Sequence, residues 1–223
     1  DGTIEVFGGV VDAYTMTEAV KDGITVNLVY DGRAAKVMLN QDKVRQIEEY
    51  YAQCELEGAN EHQVEESQKA VAKMEVIIGD PDRLRAVAED FIKHYETRVA
   101  EGATVAGKAM FVCSNRNIAY DFYKIVKELR PEWTEKKICD DGVVLSEKDK
   151  KELKPMEKIK LVMTRNKDDE KDLFDMLGTK EDRKEFDRQF KNPKSNFKIA
   201  IVVDMWLTGF DVPELDTIYI DKP

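Results

Sequence analysis

The chain has 223 residues, 42% hydrophobic and 36% charged, with a formal net charge of −10; this describes a globular protein with a heavily charged surface, long enough for one large domain or a domain with an insertion. It holds no apolar run of transmembrane length and opens on no signal peptide, so no membrane partner is expected. The acid excess argues against a self-sufficient DNA-binding module, while Cys54, Cys113 and Cys139, widely spaced beside only two histidines, give no metal-ligand cluster and read as reduced thiols of a cytoplasmic protein.

In chain order, residues 1–23 are irregular except for a short helix over Thr17–Lys21, capped by Thr15 or Thr17. Ile24–Tyr30 (ITVNLVY) alternates and is β-branched, which predicts a strand, followed by a turn at Asp31-Gly32 and a short strand over Ala35–Leu39. Gln41–Tyr51 is helical by its three- and four-residue apolar spacing, and residues 52–79 stay polar and helix-prone. Together, residues 40–79 read as an acidic helical insertion. Asp80-Pro81 starts a helix with an apolar stripe from Leu84 to Tyr95 that runs to about Gly102.

Three buried strands follow: Lys108–Cys113, Ile159–Met163 and Ile199–Val203, each a short, nearly continuous apolar run. Helices are expected from Arg116 to about Leu129 and over Lys180–Lys191, where Phe186 and Phe190 share a face. Residues 132–157 read as loop, with Trp133 packing over the helix end after Pro131, and Thr217–Ile220 as a last short strand. Strands alternating with helices predict a mostly parallel sheet in a three-layer α/β domain.

In such a sheet, ligands gather at the carboxyl ends of the strands. The three buried strands exit into Ser114-Asn115-Arg116, Thr164-Arg165-Asn166 and the loop Asp204–Pro213, which carries Thr208, Gly209 and Asp211. Hydroxyls, amides and arginine are donors suited to phosphate oxygens. There is no G-x-x-x-x-G-K-[ST] loop, no G-x-G-x-x-G, no nucleophile elbow and no histidine–carboxylate pair. Trp206 is expected to pack inward, Cys113 to be a core residue, and Asp168-Asp169 to be a solvated loop.

The run D-M-W-L-T-G-F-D-V-P (Asp204–Pro213) with the tail Tyr219–Pro223 closely resembles the motor region of the restriction (R) subunit of type I restriction-modification enzymes. More broadly it is similar to motif V of superfamily 2 helicases and translocases. Lys108–Val126 resembles their motif IV strand and helix, and Phe7–Gly23 and Lys160–Asp169 are similar to the same family. The resemblance implies that residues 1–223 are the second RecA-like domain of a longer chain, a P-loop NTPase-type fold without the P-loop itself, with residues 40–79 inserted.

By position, the resemblance implies that Gly209 and Asp211 face ATP, and that Ser114, Asn115, Arg116, Thr164, Asp204 and Thr208 line the DNA. Val203 stands where many helicases place a hydroxyl before the motif V aspartate. ATP and Mg²⁺ would be bound mainly by a first RecA-like domain of the same chain. Further partners would be double-stranded DNA and the modification and specificity subunits. No catalytic residue is expected in these residues, which alone should neither hydrolyse ATP nor cut DNA. Two other readings are another superfamily 2 motor, such as an RNA helicase or chromatin remodeller, and a non-catalytic α/β docking domain.

Overall fold

Four strands join in one all-parallel sheet: β1 (Lys108–Cys113), β2 (Ile159–Leu161), β3 (Ile199–Val202) and β4 (Leu215–Asp221), in the spatial order β2-β3-β1-β4. The computed structural model describes residues 15–23, 25–33, 77–207 and 209–222. The chain divides into two units, Asp1–Ala34 and Ala35–Pro223.

The first unit contains helix α1 (Met16–Lys21). Thr15, rather than Thr17, caps it: the Thr15 hydroxyl accepts from the Glu18 amide and the Glu18 carboxylate accepts from the Thr15 amide, a reciprocal capping box. The strand expected over 24–30 is absent from its described part. Residues 26–33 have no regular structure, and Val26, Val29 and Tyr30 are exposed. A β-branched, alternating run becomes a strand only when its backbone groups find a ladder partner, and none is present among the described residues. The expected strand Ala35–Leu39, the helix Gln41–Tyr51 and the insertion 40–79 up to residue 76 lie outside the described residues.

In the second unit, Asp80 accepts from the amides of Asp82 and Arg83 and Pro81 occupies the first position of helix α2 (Pro81–Ala100). Its stripe Leu84, Ala88, Phe91, Ile92 and Tyr95 is buried. Helix α3 (Arg116–Leu129) lies beside it, and both cover one sheet face with Ala109, Phe111, Cys113, Ile159, Leu161, Ile199 and Ile201. The other face, with Met110, Val112, Ala200 and Val202, packs against Phe190 of helix α6 (Lys180–Lys191) and Phe197. This is the expected three-layer α/β architecture.

Phe91 is the hub of the first core. Its ring meets Phe111 edge-on at 5.1 Å and Tyr219 at 4.8 Å, with Phe122 at 5.8 Å and Trp133 at 6.4 Å. Trp133 sits in a 3₁₀ turn, Pro131–Thr134, buried over the helix end. Two helices escaped the sequence reading. Helix α4 (Glu147–Glu152) is signalled by the Ser146/Asp149 capping box, and helix α5 (Lys171–Leu177) has no side-chain cap, so only its tertiary burial of Leu173 and Leu177 marks it. Strand β2 ends at Leu161 rather than Met163, while β4 starts two residues earlier and ends one later than expected.

At the amino-terminal edge of the sheet Lys108 is 1% exposed. It donates to the Phe197 carbonyl and lies 5.2 Å from the Phe190 ring centre. Burial, with the Lys198 charge adding to it against the opposing pull of Asp140 and Glu214, pushes its pKa down to about 7. The unfolded chain therefore binds the extra proton between that value and the ordinary lysine value, and stability rises with pH through this window. Relative to Lys108→Met, the wild-type unfolding free energy in urea is expected to climb by roughly 1.4 kcal/mol per pH unit between about pH 8 and 10; identical pH profiles for the two proteins would contradict this.

Candidate functional site

Parallel strands place all four carboxyl ends on one edge, and the loops leaving them carry the predicted residues. At the β1 exit, Asn115 is the N-cap of α3: its Oδ1 accepts from the Ile118 amide at 3.0 Å. That is a structural use of a residue expected to meet DNA. The neighbouring Ser114 Oγ is buried and has no hydrogen-bond partner among the described residues.

Arg116 is likewise committed within the protein. It donates to the Thr164 carbonyl at 2.7 Å and to both Asp169 carboxylate oxygens, at 2.6 and 2.7 Å. Asp169 is thus no solvated loop residue, since its side chain is 7% exposed. Burial pushes its carboxyl up, but the Asn166 amide and the Arg116 guanidinium outweigh that, and the pKa lies below the usual aspartate value. Since β3 lies between β1 and β2, this ion pair spans a strand and clamps the β1 and β2 exits together. Thr164 itself is exposed beside the clamp.

A second spanning pair links the other two exits. Lys222, just after β4, donates to Asp204, just after β3, at 2.9 Å across the end of β1. Both partners are exposed to solvent, so this pair contributes little, about 0–1 kcal/mol. At the far side Arg83 of α2 pairs with Asp221 at the end of β4 and donates to the Ile78 carbonyl at 2.9 Å.

The loop from Asp204 to Val212 is bolted down by aromatics. Trp206 stacks on Phe210 at 4.2 Å with planes 6° apart, and both stack on Phe190 of α6, at 5.4 and 6.2 Å. Trp206 therefore packs inward, as expected, although its φ of 66° is in the left-handed region. A bulky residue there costs about 1–3 kcal/mol, which the stacked rings, at about 0.5–1.5 kcal/mol per pair beyond burial, offset. With Phe210 and Val212 turned into the second core, Leu207, Gly209 and Asp211 face solvent. Thr208 lies outside the described residues. Gly209 has φ 68°, and nothing stands within 4 Å of where a Cβ would be, so this backbone is open to close approach by a ligand.

This sheet edge carries a mixed set of groups. It offers an exposed carboxylate at Asp211, an open glycine and phosphate-type donors along the edge. It is not a metal cage: among the described residues no group of three or more His, Cys, Asp or Glu is placed to hold an ion. Sequence reasoning missed the partners that fix the loops, Asp169, Lys222 and the Arg83–Asp221 pair. Their side chains meet only across the sheet edge, at separations of up to 138 residues.

Comparison with known proteins yields two family matches. Residues 105–223 match the family described as type I restriction enzyme subunit R domain 3, and residues 1–65 match the SWI2/SNF2 ATPase family. The chain is 34% identical over 221 residues to the type I restriction enzyme HindI endonuclease subunit of Haemophilus influenzae, covering 99% of this chain and 18% of that protein. It is 33% identical over 223 residues to the type I restriction enzyme MjaIXP endonuclease subunit of Methanocaldococcus jannaschii, again 99% of this chain and 18% of the relative. The chain thus spans about a fifth of the length of these relatives.

The clamp at the β1 and β2 exits generates a stability prediction. In a double-mutant cycle, Arg116→Ala and Asp169→Asn should couple by about 1–3 kcal/mol in urea unfolding. Because the folded-state carboxyl is depressed, this stabilisation is full above the ordinary aspartate pKa and fades as pH falls below it. Additive effects at neutral pH would mean that the pair contributes nothing.

Proposed function

Because this chain belongs to the family of type I restriction enzyme R subunits and its α/β fold is RecA-like, of the helicase type, we propose that it is part of the ATP-driven double-stranded DNA translocase motor of a type I restriction endonuclease. In this reading residues 1–223 act as a second RecA-like domain with residues 40–79 inserted. They complete an ATP cleft against a first RecA-like domain and grip the sugar-phosphate backbone. The further partners are the modification and specificity subunits, and the setting is the cytoplasm.

One observation carries the reading: the loop presenting Gly209 and Asp211 leaves the same sheet edge as the Ser114–Arg116 and Thr164 exits. Nucleotide and DNA contacts on one rigid edge can be coupled through that loop. Thr164 supplies an exposed hydroxyl for phosphate oxygens, while Ser114, its Oγ buried, belongs to the track by position. Asn115 and Arg116 act at the same track by fixing the loops that bear these two residues. Asp204, an anion, takes part through the ammonium of Lys222 that it holds. Thr208, next to Gly209 in the sequence, belongs to the same DNA-facing loop. Contacts of this kind read no sequence, which suits a translocase that must hold each step equally.

ATP with Mg²⁺ supplies the phosphoanhydride to be cleaved, and its hydrolysis requires a phosphate cradle, the metal and a charge-stabilising arginine together. The chain has no phosphate-binding P-loop sequence, so residues 1–223 alone are proposed to lack turnover. Here Asp211 and Gly209 form the second wall: the glycine lets the backbone approach the nucleotide, and the carboxylate orients what lies between the domains.

Two measurements test this. Purified residues 1–223 should show no ATPase above a buffer blank with duplex DNA. In the intact enzyme, Asp211→Ala should lower DNA-stimulated ATPase and translocation, read by displacement of a triplex-forming strand, at least tenfold while the protein stays folded. Near-normal rates in that variant would overturn the assignment of the loop.

A further inference from the structure

Arg165 follows Thr164 at the β2 exit, on the edge that carries the proposed DNA and nucleotide contacts. Its guanidinium carbon lies 4.3 Å from the centre of the Phe174 ring, on helix α5. Its Nε is buried, with no hydrogen-bond partner among the described residues. Two other arginines at this edge are neutralised, Arg83 by Asp221 and Arg116 by Asp169. Among the described residues no carboxylate lies within ion-pair distance of Arg165. The acid within electrostatic reach is Asp182 of α6, and its carboxylate is taken up by the amide and hydroxyl of Thr179, at 2.7 and 2.8 Å.

A partly buried guanidinium paired with no carboxylate among the described residues is an incomplete arrangement. Guanidinium groups present five donors in a rigid plane that matches phosphate geometry. Stacking on Phe174 holds that plane in place, so little further side-chain freedom is lost when a ligand binds. A ligand that completes the group must be anionic, must accept several hydrogen bonds and must reach the carboxyl edge beside the exposed Thr164.

We propose that Arg165, oriented by Phe174, binds a phosphate oxyanion at this edge. The proposal rests on the functional reading above and adds to it a residue outside the assigned track. The phosphate comes from one of two sources, the DNA backbone or the nucleotide, which share this chemistry. Phe174 is a positioning residue, and its role is to fix the guanidinium plane.

The test uses the intact restriction enzyme with Arg165→Ala, Arg165→Lys and Phe174→Leu, each checked for an unchanged thermal transition. If the phosphate is DNA's, the slope of log affinity for duplex DNA against log salt should fall in magnitude by about 1 in Arg165→Ala. Affinity should drop about tenfold or more, with ATP affinity unchanged. If it is the nucleotide's, the KM for ATP rises by a similar factor and the salt slope stays. In either case Arg165→Lys keeps the charge but recovers only part of the affinity, and Phe174→Leu weakens binding without changing the salt slope.

A wild-type enzyme that binds duplex DNA and hydrolyses ATP, with Arg165→Ala unchanged in both, overturns the proposal alone. A wild-type enzyme that does neither overturns the functional reading and the proposal with it.

Discussion

The structure depends on strand β1 being hydrogen-bonded on both sides, to β3 and to β4, and parallel to each. Parallel neighbours cannot be joined by tight turns, so every connection must cross a face of the sheet. The connection from β1 to β2 carries α3 over one face and that from β2 to β3 carries α6 over the other, while α2, which precedes β1, packs beside α3. These crossovers bury β1 along its whole length and send all four strand exits to one edge. Pairing β1 with β4 brings residues 108–113 against 215–221, so two segments about a hundred residues apart in the chain become neighbours.

What happens at that edge is decided by how unequal the fixing interactions are. Arg116 and Asp169 form a partly buried pair reinforced by the Thr164 carbonyl and the Asn166 amide. Asp204 and Lys222 form an exposed pair that water competes for. The β1 and β2 exits are therefore held as one rigid unit by ionic contacts. The Asp204–Val212 loop is held chiefly by Trp206, Phe210 and Val212 on its inner side. Its outer side, with Gly209 and Asp211, remains available for a ligand. The left-handed backbone at Trp206 is sustained by the same stack.

The opposite edge shows a different electrostatic regime. Lys108 and Lys198 lie almost fully buried near the amino-terminal ends of β1 and β3, satisfied by the carbonyls of Phe197 and Pro193 and, for Lys198, by Asp140 at 3.3 Å. Burial lowers the pKa of both ammonium groups. Charge at that edge is thus a burden on stability, whereas at the carboxyl edge the guanidinium groups of Arg83 and Arg116 are neutralised and that of Arg165 rests on an aromatic face. The two edges of one sheet thus hold their charges in different ways.

The sequence by itself determined the three-layer α/β class, the central strands and the helices α2, α3 and α6. Those depend on local periodicity and caps such as Asp80-Pro81 and Thr179, which the chain carries in adjacent residues. It also placed the candidate residues at strand exits and, through the Asp204–Pro213 run, pointed to the family. Only the tertiary structure decided that Ile24–Tyr30, a strand by composition, has no ladder over its described residues, because backbone pairing is non-local. It alone showed that Asn115 is a cap, that Arg116 answers Asp169 and that Arg165 is paired with no acid among the described residues. Charge pairing across a sheet edge depends on which strands lie side by side, and the order β2-β3-β1-β4 is written in no single stretch of the chain.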